Sequence, residues 1–230
     1  MGEKHFELTD ETKEIYGHTV YRIRATKDSR WAKEGQLGGF VESVDNLNDN
    51  AWVADNANVF ENAKVYGEAK VFGSAQVYGT ARVSGNAWVY GQAMVSGKSS
   101  VYEEAAVFEG AIVSGHAEVF GSAKICGDAK VYGEAKVFGN DAVLGPAEIV
   151  GDAEIQTISD YVVFKNFWSS GRYLTWTRSN DKWQVGCFYG AGKDLIERAY
   201  RDSEVSGKNY EAIVNYVENV VKPQFNKKEK

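Results

Sequence analysis

An aliphatic side chain falls at every sixth position from Val53 to Ile155, 18 consecutive hexads without an insertion or deletion. Ala stands two residues before the aliphatic residue in 16 of the 18, with Ser99 and Asp141 the exceptions, and Gly stands two residues after it in 13. The unit reads Ala-x-Val-aromatic-Gly-x, as in Ala69-Lys70-Val71-Phe72-Gly73-Ser74. A six-residue unit cannot bury its own apolar face, so a period this short must stack on copies of itself as a solenoid. Ala and Val, two apart on a strand, point the same way and face inward. Gly then turns the chain tightly at a corner. Glu103 and Glu109 replace it in adjacent hexads, which argues against an obligatory left-handed backbone there. Three such sides close a triangular coil. The hexads therefore predict a mainly β fold, a parallel β-helix of about six coils and, at ~4.8 Å per coil, a length of ~29 Å.

A stride of three hexads sorts the outward residues into three faces. The first carries Trp52, Phe72, Trp88, Tyr90, Ala106, Phe108, Cys126 and Leu144. The second carries Phe60, Tyr78, Met94, Ile112 and Tyr132 among polar residues, and the third Tyr66, Tyr102, Phe120 and Phe138 among charged ones. Contiguous apolar surface usually marks an interface. Phe72, Trp88, Tyr90 and Phe108 are thus candidate partner- or ligand-binding residues, through self-association or docking of residues 159–230. Alternatively, they form ladders that only stabilise stacked strands. Asp141 occupies an inward position, where an unpaired carboxylate would be costly. A local bulge turning it to solvent is expected.

Residues 1–50 are read as an N-terminal β cap, with His18–Thr26 as an alternating strand, and residues 51–157 as the β-helix. Residues 158–230 are read as a small α+β module of three strands and two helices. The strands are Tyr161–Trp168, Arg172–Arg178 and Trp183–Tyr189. The helices are about Lys193–Arg201 and Asn209–Val221, with Ser206 a start signal. Trp168, Tyr173, Trp176, Trp183, Phe188 and Tyr189 crowd the strands. They form either a core of large rings or an aromatic ligand platform, for which Trp176 and Trp183 are the candidates. Cys187, within the third strand, reads as a buried inert thiol.

The net charge of −6 argues against a generic nucleic-acid partner. Residues 159–230 nevertheless hold 12 Lys+Arg against 9 Asp+Glu, with Lys222, Lys227, Lys228 and Lys230 forming a solvated tail. No apolar run suits a membrane helix, and Met1–Phe6 lacks an apolar signal core. The two cysteines, Cys126 and Cys187, have no metal-ligand spacing. A cytoplasmic protein with no metal and no membrane or nucleic-acid partner is expected.

Gly35-Gln36-Leu37-Gly38-Gly39-Phe40-Val41-Glu42-Ser43, then Asn50-Ala51-Trp52-Val53 and the hexads, resembles the YdcK-like hexapeptide-repeat proteins over roughly residues 20–157. The resemblance implies a left-handed helix, a homo-oligomer that is commonly a trimer, and acyl transfer from acetyl-CoA or another acyl-CoA with a His as general base. His116, the one His on the solenoid, is the candidate catalytic residue. The period by itself leaves the hand open, since parallel crossovers are right-handed by default, and a right-handed, bactofilin-like helix is the alternative. Enzymes of this class interrupt the hexads with a loop over the substrate, whereas here the spacing is unbroken. The first functional expectation is therefore a non-catalytic oligomeric β-helix without a cofactor. It would bind or sequester a protein or a small, nucleotide-like ligand between subunits or at the C-terminal aromatic module. The alternative is a CoA-dependent acyltransferase using His116, and a purely structural rod is a third reading.

Overall fold

The computed structural model describes residues 4–226; Lys227, Lys228 and Lys230 of the basic tail, and the first three residues, lie outside the described residues. The chain divides into two compact units, Met1–Ile158 and Ser159–Lys230.

In the first unit each hexad contributes one two-residue strand, from β4 (Trp52–Val53) to β21 (Glu154–Ile155). Strands within the stack pair in parallel with the strands three hexads before and after them, and the end strands with one of the two. Val89, for example, lies beside both Val71 and Val107. This arrangement gives three stacks of six solenoid strands each, the parallel β-solenoid of about six coils that the period requires. The ladder runs through the turns as well: Tyr90 N–H donates to Val107 O at 3.0 Å and Gln92 N–H to Glu109 O at 2.7 Å. The Ala and Val columns fill the axis and are almost completely buried, each Val contributing ~1.5–3 kcal/mol before the ordering cost of its backbone. Ser99 joins the Ala column at 0% exposure because its Oγ donates to Ser96 O at 2.7 Å. Asp141 is exposed, and its carboxylate accepts from Ile158 N–H at 3.1 Å.

The corners correct the expectation for Glu103 and Glu109. Their φ angles are +61° and +58°, as left-handed as the glycine corners, and Asp49, Asp55 and Glu61 do the same in the first coil. A non-glycine residue pays for this conformation sterically. At each of these corners the carboxylate accepts the N–H of the corner one coil further on. Glu103 takes Gly121 N–H at 2.8 Å, Glu109 takes Gly127 N–H at 2.7 Å, and Asp49, Asp55 and Glu61 take Gly67, Gly73 and Gly79. The strain is thus offset by charge-assisted hydrogen bonds to the next coil.

The amino-terminal strands β1 (Phe6–Ile15), β2 (His18–Ala25) and β3 (Leu37–Val41) are antiparallel neighbours, and β3 joins the solenoid in parallel beside the strand Asn58–Val59. The apolar column begins earlier than the Ala-x-Val pattern indicates. Val41 lies beside Val59 and Leu47 beside Val65, both fully buried. They escaped the pattern because Gly39 and Asp45 stand where Ala is expected. The Gly38-Gly39 pair allows β3 to approach the first coil: a Cβ on Gly38 would come within 2.6 Å of Val53 O, and one on Gly39 within 2.7 Å of Ala57 O.

The second unit is an antiparallel sheet of β22 (Tyr161–Lys165), β23 (Tyr173–Thr177), β24 (Lys182–Val185) and β25 (Phe188–Gly190), in that order. Helices α1 (Gly192–Asp202) and α2 (Glu204–Tyr216) follow, then a π-helical segment, Val217–Val221, and α3 (Lys222–Asn226). The predicted third strand is in fact two, folded back at Gly186 and Cys187, and Cys187 is exposed rather than buried. The second helix starts at Glu204, with Ser203 capping Ser206 N–H at 3.1 Å, so Ser206 lies inside it. Gly207, inside α2, lies against the Tyr200 ring, where a Cβ would clash. Among the described residues no helix is long and apolar enough to cross a membrane.

Replacing Glu103 with Val should cost about 2 kcal/mol, about half from the lost hydrogen bond and half from a β-branched residue at a left-handed corner. Glu103→Gly should stay close to the wild type. Thermal unfolding followed by circular dichroism compares the two.

Candidate functional site

Parallel register sets residues one coil apart at the strand spacing, so outward rings at equivalent positions must stack. On the first face Phe72 stacks on Tyr90 at 4.8 Å and 6°, and Tyr90 on Phe108 at 4.9 Å and 2°. Burial pushes the Tyr90 hydroxyl up, and likewise the Cys126 thiol that continues the column. Beside this ladder Trp88 is 42% exposed, and further along Leu144 is 43% exposed. Trp52, in the first coil, is buried, with the His5 ring 6.1 Å away.

Trp88 has a neighbour that the sequence pattern did not supply. Trp31, from the polar stretch between β2 and β3, stands edge-on to it at 6.2 Å and 81°. Arg30 lies 4.4 Å over the Trp31 ring and donates to Asn86 Oδ1 at 3.3 Å, while Lys70 Nζ is 5.1 Å from the same ring. Arg30, Asn86, Trp88, Glu104 and Ala106 line an open groove of about 540 Å³. Its polar residues went unnoticed because nothing in the hexad code marks them. A lone Trp in a polar run was the available signal.

The other faces differ in how their aromatic columns end. Tyr102 stacks on Phe120 at 5.1 Å and donates to Glu118 Oε2 at 3.1 Å. Burial, with that hydrogen bond, pushes its hydroxyl up to about 12. Tyr132 is pushed up to about 12 by burial and the Glu148 carboxylate, which also pairs with Lys130 at 2.9 Å. The ladder reading suits these faces. Trp88 on the first face has Lys70 and Ala106, not rings, beside it in the adjacent coils, and meets Phe72 edge-on at 6.0 Å and 79°.

His116 is exposed at a regular corner, with its N–H in the ladder to Gly133 O at 2.7 Å. No hydrogen bond or ion pair orients its imidazole among the described residues. The histidine with carboxylate partners is His18 on β2. Its Nδ1 lies 3.1 Å from Glu42 Oε1 and its Nε2 3.5 Å from Glu61 Oε1. Glu42 Oε2 also accepts Glu61 N–H. The hydrogen bond to Glu42 raises the His18 pKa. For Glu42, burial works upward, but the bonds from His18 and Glu61 N–H bring its carboxyl below the ordinary value. The cluster clasps the amino-terminal strands to the first corner. Trp176 and Trp183 correct the platform expectation: at 1% and 0% exposure they are core, packed with Leu174, Leu195 and Val214. Among the described residues no group of His, Cys, Asp or Glu could hold a metal ion.

Residues 75–91 match the YdcK beta solenoid repeat family. The match spans about one coil. In it the chain is similar to that repeat, and the hexads from Trp52 to Ile155 form a parallel β-solenoid. No curated protein matches the sequence.

The His18 clasp should be pH-dependent. Its folded-state pKa is raised, so its stabilisation is fully present below the unfolded value of 6.5 and lost as pH rises through the folded value. The gap in melting temperature between wild type and His18→Gln should be larger at about pH 5.5 than at about pH 8.5. His5, lowered by burial, titrates alike in both proteins and drops out of the difference.

Proposed function

We propose that the chain is a non-catalytic binding scaffold that assembles with copies of itself through the first face of the solenoid. The observation that carries this reading is Trp88, a large indole left 42% exposed at a groove that also contains the small side chain of Ala106. A face presenting both a knob and a recess is self-complementary, as a two-fold contact between identical surfaces demands. The same groove holds Arg30 and Glu104, opposite charges that a symmetry-related copy would meet in the reverse sense. Aromatic anchors seated in pockets contribute most of the energy in such contacts. Sedimentation equilibrium tests the proposal. Wild-type protein should sediment as a homo-oligomer, its mass separating a two-fold from a three-fold assembly, and Trp88→Glu should dissociate it without lowering the monomer's helix and sheet content. A wild-type monomer at micromolar concentration would exclude the proposal.

The acyltransferase alternative would rest on His116. Without an orienting partner an exposed imidazole is a poor general base, and the ladder runs through its corner without an inserted loop. Purified protein is expected to leave acetyl-CoA intact with amine and hydroxyl acceptors, as read by free-thiol release. His116→Ala is expected to leave assembly unchanged.

A further inference from the structure

The second unit contains a cleft that the solenoid reading does not use. It measures about 310 Å³ and lies between the β24–β25 turn and the two long helices, near the lower end of the range for small-ligand pockets. Its floor is apolar: Val185, Leu195 and Ala199 are buried, and Phe188 adds a ring. Its walls are rich in donors. Asn166, 2% exposed, donates through Nδ2 to the Tyr210 hydroxyl at 3.0 Å and to Ser169 Oγ at 2.9 Å. Tyr210 is 8% exposed. Because its oxygen accepts from Asn166, its own O–H is left to donate, and no acceptor for it occurs among the described residues.

Two guanidinium groups border the same space. Arg172 lies over the β24–β25 turn, so close that a Cβ on Gly186 would come within 2.6 Å of its Nη1. Its charge also acts on the Tyr210 hydroxyl. Arg198 is on α1, one turn from Asp194 and one turn from Asp202, yet it pairs with neither. Among the described residues neither arginine has a salt bridge, whereas Arg178 in the same unit pairs with Asp160 and Lys222 with Asp181 and Glu218. An unpaired guanidinium beside a hydroxyl donor is a group prepared for an oxyanion. Asp202 also borders the cleft. It holds the net charge of these three groups to one positive unit, which suits a carboxylate or a single phosphate group better than a polyphosphate.

We infer that this cleft binds a small organic anion, a carboxylate or phosphate monoester on an apolar body, with Arg172, Arg198 and the Tyr210 hydroxyl holding the anionic group and Phe188 and Leu195 the body. The site stands independently of self-association through the first face. Cys187, exposed and lining the cleft, is a natural reporter, and buried Cys126 is its internal control.

The test is carbamidomethylation of the full chain by iodoacetamide, followed by intact mass, with increasing benzoate, phenyl phosphate or, as the uncharged control, benzyl alcohol. One or both anions should slow Cys187 labelling saturably, and benzyl alcohol should not; the more effective anion identifies the head group. Arg172→Gln and Arg198→Gln should each raise the half-protecting concentration at least about tenfold, the loss of one charge-assisted contact, with melting temperatures unchanged. Lys208→Gln on the exposed side of α2 should leave it unaltered. Titration of the Arg Nε–Hε resonances gives a second reading that does not depend on the thiol. Absence of protection and of resonance shifts with both anions would overturn the inference. So would equal protection by benzyl alcohol, or full protection in the Arg172→Gln, Arg198→Gln double variant.

Discussion

The parallel backbone ladder between successive coils is the interaction on which the first unit depends. Alternate amides along the coils, such as those of Trp88, Tyr90 and Gln92, donate to the carbonyl 17 residues further on, and the strand register never slips between Trp52 and Ile155. Because the bonds repeat at one spacing, whatever stands at one position stands ~4.8 Å from its counterpart in the next coil. Side chains are thereby forced into columns. Valine columns exclude water from the axis, aromatic columns stack face to face, and the corners align so that a carboxylate in one coil meets an N–H in the next. The left-handed backbone at Glu103 and Glu109 is a consequence of this alignment. The corner geometry is common to all coils, so a residue placed there must adopt it and find compensation.

With the backbone held constant, differences between the three faces reside in the outward residues alone. The second and third faces close their aromatic columns with hydrogen bonds and ion pairs, as Tyr102 does with Glu118 and Lys130 with Glu148. The first face instead leaves Trp88 and Leu144 exposed. The loop carrying Arg30 and Trp31 reaches this face and shapes a groove without covering Trp88. Binding on a solenoid of this kind is a property of which side chains are placed outward, since the interior is committed to packing. His116 illustrates the converse: among the described residues no hydrogen bond or ion pair orients its imidazole.

The second unit follows different rules. Its large rings, Trp176 and Trp183, are consumed in a core that a small sheet and two helices could not otherwise fill. The polar groups around its cleft are two arginines that have no acid partner among the described residues and a tyrosine hydroxyl with a proton to donate. Aromatic residues crowding a stretch of sequence are therefore a poor guide to where a ligand would sit, because burial claims them first.

The six-residue period by itself determined the solenoid, the number of coils, the inward columns and the composition of each face, because a fixed stride leaves every side chain's direction determined by arithmetic. The amino-terminal strand His18–Ala25 was equally legible from its alternation. Beyond the repeat this logic fails. The fold-back at Gly186 and Cys187, the start of α2 at Glu204 and the burial of Trp176 and Trp183 depend on contacts between residues distant in sequence, such as Gly207 against Tyr200. The same holds for the clasp of His18 on Glu42 and Glu61, for Trp31 against Trp88, and for the convergence of Arg172, Arg198 and Tyr210 on one cleft. Local spacing encodes direction along a regular element, but which distant side chains meet is decided only when the chain has packed.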